Sequence, residues 1–450
     1  MRKLTIYQST GENEMFAKKN VEQLSPVSED KEWRTVIIDD SRTFQEIDGF
    51  GASFTDSAAY LIHQILEPEQ RAVLMRKLFD PAQGIGLSVL RNPMGASDYA
   101  RDFYSYDDLP NGETDLELKR FSIAHDEEDV IPLLKEAIQL NPEIKLMASP
   151  WSPPGWMKTS GSMIGGELIR QYYSVYAEYF ARYIQAYAAH GLSIYAVTPQ
   201  NEALYSPGHY PGMIMGPEAQ SDFIRNDLKP CFVKHGIETK ILCYDHNWDR
   251  PDYPRTVLEQ ANAEVDGVAW HWYGGNPSAQ TEIVEAYPDK EVHFTEGSGG
   301  EWIPPFEPAF SNVMRTGIEI LRNYSRSFVL WNMALDENNG PTVPGFGTST
   351  CRGIVTIDQR TKEIEYTLDY YALAHFSKCI RPGALRLASS SYEDSIRSAA
   401  FRNKDDSRAA VLFNDSDEAH NVTLKLNEED MVSFRMEAKS AVTVLLEGDR

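Results

Sequence analysis

The sequence predicts a (β/α)8 TIM barrel with a β-sandwich side domain built from both ends of the chain. Eight short apolar segments, each followed by a helical segment, fill about 340 residues from Phe44 onwards. Polar and aromatic residues recur where these segments end, at the edge that barrel enzymes use for their sites. After Pro382 and Gly383 the pattern changes to alternating strands, which indicates a half-exposed antiparallel sheet. An open doubly wound sheet is the structural alternative, and the count of eight favours the barrel.

The eight strand–helix units follow one another along the chain. The predicted strands are 46–52, 85–91, 144–149, 193–197, 239–245, 268–273, 292–296 and 328–332. The predicted helices are 67–79, 130–140, 169–189, 219–235, 254–263, 279–286, 313–324 and 368–379. Short apolar runs predict buried strands, whereas longer amphipathic segments predict the helices that cover them.

Both chain ends are assigned to the side domain. Four late segments read as strands of an antiparallel sheet: 409–413, 422–426, 432–436 and 441–445. Two early strands, 4–7 and 33–38, have no helix between them and no partner in the barrel. We therefore predict a sandwich of residues 1–43 and 383–450, and a catalytic barrel of residues 44–382.

Composition argues against several classes of protein. The 450 residues are 42% hydrophobic, enough for a large core, and their net charge of −24 argues against nucleic acid or anionic membranes as partners. No apolar run is long enough for a membrane span, and the first residues lack an apolar signal core, so we expect a cytoplasmic protein. The four cysteines have no CxxC spacing, so a zinc site is not expected. Oligomeric state has no signature in the sequence.

Two glutamates follow predicted buried strands. Glu202 comes after the strand 193–197, and Glu296 ends the strand 292–296, 94 residues later. A charged acid in such a position is costly unless it has partners or a function. Strand ends of a barrel converge on one mouth, so the two carboxylates should face each other, as in a glycoside hydrolase. A separation of about 5–5.5 Å would give retention of configuration, and about 6.5–9.5 Å inversion.

Six stretches resemble motifs of glycoside hydrolase family 30, the family of acid glucosylceramidase, and they occur in the family's order. The stretches are RNPMG at 91–95 with DY at 98–99, ASPWSPPGWMKT at 148–159, TPQNE at 198–202, HWY at 271–273, FTE at 294–296 and WNMAL at 331–335. The resemblance covers almost the whole chain. The sequence departs from the family's pattern at Ala203, where most members have proline, and this difference predicts a looser loop after Glu202.

The resemblance implies the barrel-plus-sandwich fold and a retaining β-glycosidase without metal or organic cofactor. By analogy, Glu202 is the general acid/base and Glu296 is the nucleophile, held ionised by Arg91 beneath it. It also implies that Asn201 binds the sugar 2-hydroxyl and that Tyr273 binds the nucleophile. The implied substrate-binding set is Arg91, Asp98, Trp151, Asn201, His271, Tyr273 and Trp331.

Two histidines at strand ends invite other interpretations. His271 could suggest a metal ligand, but no second histidine lies at ligand spacing, so a hydrogen-bonded histidine is expected. The pair Asp245 and His246 is interpreted as lining the site or as structural.

The predicted activity is hydrolysis of β-glucosidic bonds in a small β-glucoside or oligosaccharide, as by a β-glucosidase or a glucosylceramidase-like enzyme. An endo-β-1,6-glucanase, a β-xylosidase and a β-fucosidase are alternatives within the family. A non-catalytic carbohydrate-binding protein is the alternative from another class, but it should have lost one of the two acids. A lyase or aldolase barrel would need a strand-end lysine or a metal cluster, and neither is apparent.

Overall fold

The computed structural model describes residues 3–10, 14–21, 24, 33–301, 309–426 and 430–448. The strands are β1 (Leu4–Ser9), β2 (Ala17–Lys19), β3 (Trp33–Glu46), β4 (Gly49–Ser53), β5 (Val89–Pro93), β6 (Lys145–Ser149), β7 (Ile194–Val197), β8 (Lys240–Asn247), β9 (Gly267–His271), β10 (Glu291–Glu296), β11 (Ser327–Leu330), β12 (Ala334–Asp336), β13 (Val355–Ile357), β14 (Ile364–Tyr366), β15 (Leu385–Ser389), β16 (Ile396–Arg402), β17 (Arg408–Asn414), β18 (His420–Lys425), β19 (Met431–Met436) and β20 (Ala441–Leu446). The helices are α1 (Asp56–Tyr60), α2 (Pro68–Phe79), α3 (Ala124–Glu128), α4 (Val130–Leu140), α5 (Tyr173–Ala189), α6 (Pro217–Phe223), α7 (Lys229–His235), α8 (Asp252–Ala261), α9 (Ser278–Ala286), α10 (Ala309–Arg322) and α11 (Leu368–Ser377).

Strands β4 to β11 close into a parallel barrel in sequence order, with β11 pairing back onto β4. Apolar side chains from six of these strands form a separate cluster inside it: Val89, Met147, Ala196, Leu242, Ala269 and Val329. The larger core lies outside, between the strands and the surrounding helices. This arrangement confirms the predicted eight-stranded barrel, in which a packed interior leaves the strand ends free to form a site.

The barrel begins slightly later than the sequence pattern predicted. The predicted strand 46–52 starts too early, because Glu46 still pairs with Leu385 in the other sheet and the first barrel strand starts at Gly49. Gly51 is needed at this junction, since a Cβ there would lie 1.6 Å from the carbonyl oxygen of Val89. The predicted strands 268–273 and 328–332 also end earlier, at His271 and Leu330.

The nine strands outside the barrel and outside the β12–β14 sheet form one sheet in the order β19-β18-β3-β15-β16-β17-β20-β1-β2. The first part of β3 pairs with β18 and the second part with β15, so this long strand joins the two layers. Phe434 on β19 and Val444 on β20 share one apolar core although their strands are far apart in the sheet. The sheet therefore folds over itself as a sandwich made from both chain ends, as predicted.

The sandwich packs against the barrel through the last two helices. Phe413 of β17 meets Phe310 of α10 with ring centroids 6.2 Å apart, inside the main core. His375 of α11 is buried, and its two ring nitrogens lie 2.8 Å from Ser9 Oγ and Thr443 Oγ1. Strands from both chain termini therefore contact the same barrel helix.

A small sheet occupies the long connection after β11, where the sequence shows no readable pattern. Its strand order is β12-β13-β14, and each strand has three residues. Three residues are too few to show an alternating period, which explains why the sheet was not predicted. Within the described part of the chain, no helix has both the length and the apolar character that crossing a membrane requires.

Candidate active site

All nine predicted site residues meet at the carboxyl ends of the barrel strands. They lie on or just after six of the seven strands from β5 to β11, all but β8: Arg91 and Asp98 (β5), Trp151 (β6), Asn201 and Glu202 (β7), His271 and Tyr273 (β9), Glu296 (β10) and Trp331 (β11). Seven of them line one cavity of about 420 Å³, whereas Arg91 and His271 do not line it and are buried among the others. Parallel strands end at the same edge, so residues far apart in sequence share one mouth.

Arg91 is the buried cation of this site, with 1% of its surface exposed. One guanidinium nitrogen donates to Glu296 Oε2 at 2.7 Å. The other donates to Asn201 Oδ1 at 2.7 Å and to Asp245 Oδ2 at 2.8 Å. Charge-assisted bonds of this length are strong, so Arg91 fixes Glu296 and Asn201 relative to each other.

Asp245 on β8, which the sequence left open as site-lining or structural, lies at the centre of the site's hydrogen bonds. Its side chain is fully buried, and five donors reach its two oxygens at 2.7–3.0 Å: Ser149, Arg91, Thr198, His271 and Thr295. Burial alone would raise the pKa of Asp245, but Arg91 and His271 outweigh it and hold the pKa well below its usual range. Its position after an apolar strand is the signal that selected Glu202 and Glu296, and the same signal could have selected Asp245.

The two glutamates lie close together. One carboxylate oxygen of Glu202 and one of Glu296 are within 4.8 Å of each other and of a ring nitrogen of His271. Glu202 has a left-handed backbone with φ of 47°, and its N–H donates to the carbonyl of Asp245 at 2.9 Å. Such a conformation persists only where its surroundings hold it, and it is common at functional sites.

His271 connects the two glutamates to Asp245. Its Nδ1 lies 3.3 Å from Glu202 and 3.8 Å from Glu296, while Nε2 lies 3.0 Å from Asp245. Burial lowers the pKa of His271, but the carboxylates of Glu296 and Asp245 outweigh it and raise the pKa to about 9. The ring therefore carries a positive charge at neutral pH.

The protonation of the two glutamates depends on their neighbours. Burial raises the pKa of Glu296, with His271 and Arg91 opposing this effect and the charge of Glu202 adding to it. Burial also acts to raise the pKa of Glu202, but the hydrogen bond from His271 and the nearby positive charges lower it. These directions are opposite to the sequence expectation, because His271 lies nearer to Glu202.

The hydrogen bonds to the two glutamates bear on which of them holds a proton when the pair has only one. Glu296 accepts from Arg91 at 2.7 Å and from the Tyr273 hydroxyl at 3.1 Å, whereas Glu202 has His271 at 3.3 Å and His246 at 3.8 Å. A proton on Glu202 also removes the negative charge that raises the pKa of Glu296. The donors that contact each carboxylate therefore favour Glu202 as the place of a single shared proton, which leaves Glu296 ionised, although burial and the nearby charges shift the two pKa values in the other direction.

Aromatic rings and one half-buried acid form the floor of the cavity. Trp151 and Trp331 stack with centroids 4.9 Å apart, and the Arg91 guanidinium lies 4.9 Å from the centroid of the Trp151 ring. Burial, followed by the charges of Glu296 and Glu202, raises the pKa of Asp98 well above its usual value. Asp98 Oδ1 is buried without a hydrogen-bond partner among the described residues, so it is available to a ligand hydroxyl.

Three groups of side chains among the described residues bring possible metal ligands within 4.8 Å of one another: Glu202–His271–Glu296, Asp48–Glu291–His293 and Glu178–Cys231–His235. Each already contacts a cationic side chain of the protein, namely Arg91, Lys240 and Lys234 respectively. Their negative charge is thus offset without a bound ion.

Comparison with known proteins identifies the family. The family model for the glycosyl hydrolase family 30 TIM-barrel domain matches residues 47–380, and the model for the family 30 β-sandwich domain matches residues 383–444. The chain belongs to glycoside hydrolase family 30. It is therefore a glycosidase, as the pair of facing acids indicated.

The relatives within family 30 are named either as endo-1,6-β-glucanases or as glucosylceramidases. The endo-1,6-β-D-glucanase of Neurospora crassa is 35% identical over 430 residues, covering 92% of this chain and 88% of that protein. The lysosomal acid glucosylceramidase of Mus musculus is 30% identical over 423 residues, covering 88% and 80%. The solved endo-β1,6-glucanase BT3312 superposes with a TM-score of 0.89 at 31% identity, covering 99% of both chains.

Several residues around the mouth of this family 30 cavity had no sequence signal. They are Tyr205, His209, Tyr210, Asn247, Ser298, Phe346, Ser349 and Cys351. Most lie on the long loops after the strands, which lack periodicity. Ala203 is fully buried and its carbonyl accepts from Met215 N–H at 2.8 Å, so the first of these loops is held in place without the usual proline.

Proposed function

We propose that this family 30 enzyme cleaves internal bonds of β-1,6-linked glucan, with retention of configuration at the anomeric carbon. Two observations support the proposal. One carboxylate oxygen of Glu202 and one of Glu296 lie within 4.8 Å of each other, close to the separation of retaining enzymes and shorter than that of inverting ones. The similarity to endo-1,6-β-glucanases extends over at least 92% of the chain in both the curated and the solved relative.

In the first step, a carboxylate oxygen of Glu296 forms a bond to the anomeric carbon while the bond from that carbon to the 6-oxygen of the next glucose breaks. Glu202 gives its proton to this leaving oxygen, so the departing chain carries a free 6-hydroxyl and Glu202 becomes a carboxylate. Arg91 and Tyr273 orient the nucleophile, because each donates to a different oxygen of Glu296.

In the second step, water attacks the anomeric carbon on the face that the leaving group vacated. Glu202 takes a proton from the water, the bond to Glu296 breaks, and both acids return to their starting states. Two inversions give a product with the original β configuration. The charge on Glu296 disappears in the covalent intermediate, which lowers the pKa of Glu202 and suits it to act as a base.

The floor of the cavity would hold the sugar whose bond is cleaved. Asn201, whose Oδ1 accepts from Arg91, would hydrogen-bond the 2-hydroxyl, an interaction that strengthens in the transition state. The free oxygen of Asp98 would accept from another hydroxyl. Trp151 and Trp331 offer apolar ring faces for the carbon–hydrogen face of the sugar.

A second candidate function is removal of single glucose units from β-glucosides, in the manner of a β-glucosidase or a glucosylceramidase. Its support is the 30% identity to the mouse acid glucosylceramidase. The two candidates share their chemistry and differ in the products they release. An endo-acting enzyme yields oligosaccharides first, whereas an exo-acting enzyme yields glucose.

The test is a time course of products from a short β-1,6-glucan, beside aryl β-glucoside, β-xyloside and β-fucoside. Oligosaccharides at early times, appearing as the β anomer by NMR, would support the endo proposal. Glucose alone would favour the second candidate, and release only from the xyloside or fucoside would refute both assignments of the sugar. Glu296→Gln should lose turnover by at least about a thousandfold while still binding the glucan. Turnover that survives in this variant would refute the role of Glu296.

A further inference from the structure

A row of aromatic side chains runs from the floor of the cavity to its outer rim. Trp331 contacts Tyr99 at 6.2 Å between ring centroids, and Tyr99 contacts Phe346 at 6.1 Å. Phe346 then meets Tyr210 at 5.5 Å, and Tyr210 meets Tyr205 at 6.4 Å. The inner rings are buried, whereas 47% of Tyr205 is exposed. The catalytic mechanism uses only the inner end of this row.

We infer that Tyr205, His209, Tyr210 and Phe346, here called the aromatic platform, bind the glucose ring on the leaving-group side of the cleaved bond. The four residues line the same cavity as the two glutamates. The inference rests on the proposed function, because it takes Glu202 as the acid that protonates the leaving oxygen. It adds a binding site for a second sugar unit to the site described above.

The position of the platform follows from its link to Glu202. The N–H of Tyr205 donates to the carbonyl of Glu202 at 2.7 Å, so the two belong to one tight turn. The leaving oxygen must lie beside the acid that protonates it, and its sugar continues in that direction. Tyr210 lines the same cavity as Asp98 and Glu202, and its ring centroid lies 6.4 Å from that of Tyr205, so it is near both the cavity floor and the acid.

Both loops of the platform are held before any ligand binds. On the first loop, Gly212 donates to the carbonyl of Met163 at 3.1 Å and accepts from the buried Lys158 ammonium at 2.8 Å. On the second loop, Val343 donates to the carbonyl of Asp98 at 3.0 Å and accepts from Phe346 at 3.1 Å. A surface ordered in advance binds a sugar at a lower cost in entropy.

The chemistry of the lining favours a sugar ring over a lipid tail. Among the described residues that line the cavity, none is aliphatic; they are aromatic or polar, apart from one cysteine. An alkyl chain would be expected to contact leucine, isoleucine or methionine side chains. Tyrosine and histidine instead combine a flat ring with a polar tip, which suits a ring that has an apolar face and hydroxyls at its edge.

The test compares two substrates with different leaving groups. One is the β-1,6-linked glucose trisaccharide, whose leaving group is a sugar, and the other is β-glucosyl fluoride, whose leaving group is a single atom. Tyr205→Ala and Phe346→Ala should each lower kcat/KM for the trisaccharide about tenfold more than for the fluoride. Tyr205→Phe keeps the ring and should restore the ratio to within about twofold of the wild type.

The matched control is Trp33→Ala, which removes a comparably exposed aromatic ring, 46% accessible, from the sandwich. It should leave the ratio between the two substrates unchanged. An equal loss on both substrates in the platform variants would overturn the inference, and so would a larger loss on octyl β-glucoside than on the trisaccharide, which would indicate a lipid leaving group. Wild-type activity on the fluoride without any on the trisaccharide would refute the proposed glucanase as well. Activity on the trisaccharide with an unchanged ratio would refute the platform alone.

Discussion

At the level of single residues, the site depends on a carboxylate that does not line the cavity. Asp245 contacts Arg91 and His271, the two cations that contact Glu296 and Glu202. Neutralising a buried anion that is surrounded by donors strongly destabilises the folded protein, because the cations around it lose the charge that balanced theirs. Asp245 thus acts on the two glutamates through other side chains.

We predict that Asp245→Asn lowers the free energy of unfolding by about 3–5 kcal/mol. The amide cannot accept from five donors, and its own N–H groups face the Arg91 guanidinium or the hydroxyl groups. Urea unfolding measures the effect, and kcat should fall as well because the two cations lose their orientation. Asp252→Asn is the matched control, since Asp252 is also paired with an arginine but lies exposed, and it should cost less than about 1 kcal/mol. Equal losses in the two variants would contradict the prediction.

His271 should make stability depend on pH. Its pKa rises from 6.5 to about 9 on folding, so its stabilising contribution is complete below pH 6.5 and is lost as the pH increases through 9. A shift of this size corresponds to about 3 kcal/mol for a fully buried group. Urea unfolding of the wild type and of His271→Gln at pH 6 and pH 9 isolates this contribution. The difference between the two proteins should be smaller at pH 9; a difference independent of pH would refute the assignment.

At the level of elements, the sequence pattern placed helices and strands well where they are long enough to show a period. The segment 130–140 was predicted as a helix and is α4, Val130–Leu140. The predictions were poorer at the strand ends, where Tyr273 and Trp331 extend beyond their strands. Residues there are selected for their contacts in the site rather than for the strand, so the local pattern weakens.

Lys158 shows how one side chain can position a loop. Its ammonium is buried and donates to Ser152 Oγ at 2.9 Å and to the carbonyls of Met163 and Gly212 at 2.7 and 2.8 Å. Burial lowers its pKa to about 7. It joins the loop after β6 to the loop that carries Tyr205.

We predict that Lys158→Met raises KM for the β-1,6-linked trisaccharide about three- to tenfold with a smaller change in kcat, because the loop that carries the platform loses an anchor. Initial rates between pH 5.5 and 8.5 measure this, and a step in the wild-type KM near pH 7 should be absent in the variant. Lys378→Met is the control, since Lys378 also donates to three carbonyls, at Pro81, Ala82 and Gly84, but belongs to the connection after α11. A similar KM change in that control would show a general effect on folding.

At the level of the whole molecule, the barrel and the sandwich share one core. Phe413 and Phe401 of the sandwich belong to the same apolar cluster as the barrel residues Phe310 and Phe376. His375 adds hydrogen bonds from the last barrel helix to both terminal strands. A shared core of this kind couples the unfolding of its two sides.

We predict that Phe413→Ala lowers the stability of the barrel as well as that of the sandwich. Removing a buried phenylalanine costs about 3–5 kcal/mol. All tryptophans except Trp33 lie between residues 151 and 331, so tryptophan fluorescence reports on the barrel. Its urea midpoint should fall together with that of the far-UV signal. Met431→Ala, at a side chain that is 57% exposed on β19, should change little. A barrel midpoint that did not move would show that the two parts unfold separately.

The sequence by itself determined the eight-fold repeat, the change to a sandwich and which two strand-end glutamates face each other. These features are local: a strand or helix shows its period within ten residues, and a strand-end glutamate is visible without its partners. The tertiary structure decided the contacts and distances that arise when the barrel closes. Arg91, Asp245 and Glu296 meet across more than 50 residues of chain, and the spacing of the acids depends on how the strands align. No local pattern carries those distances, because they arise only when all eight strands pair and end at one edge.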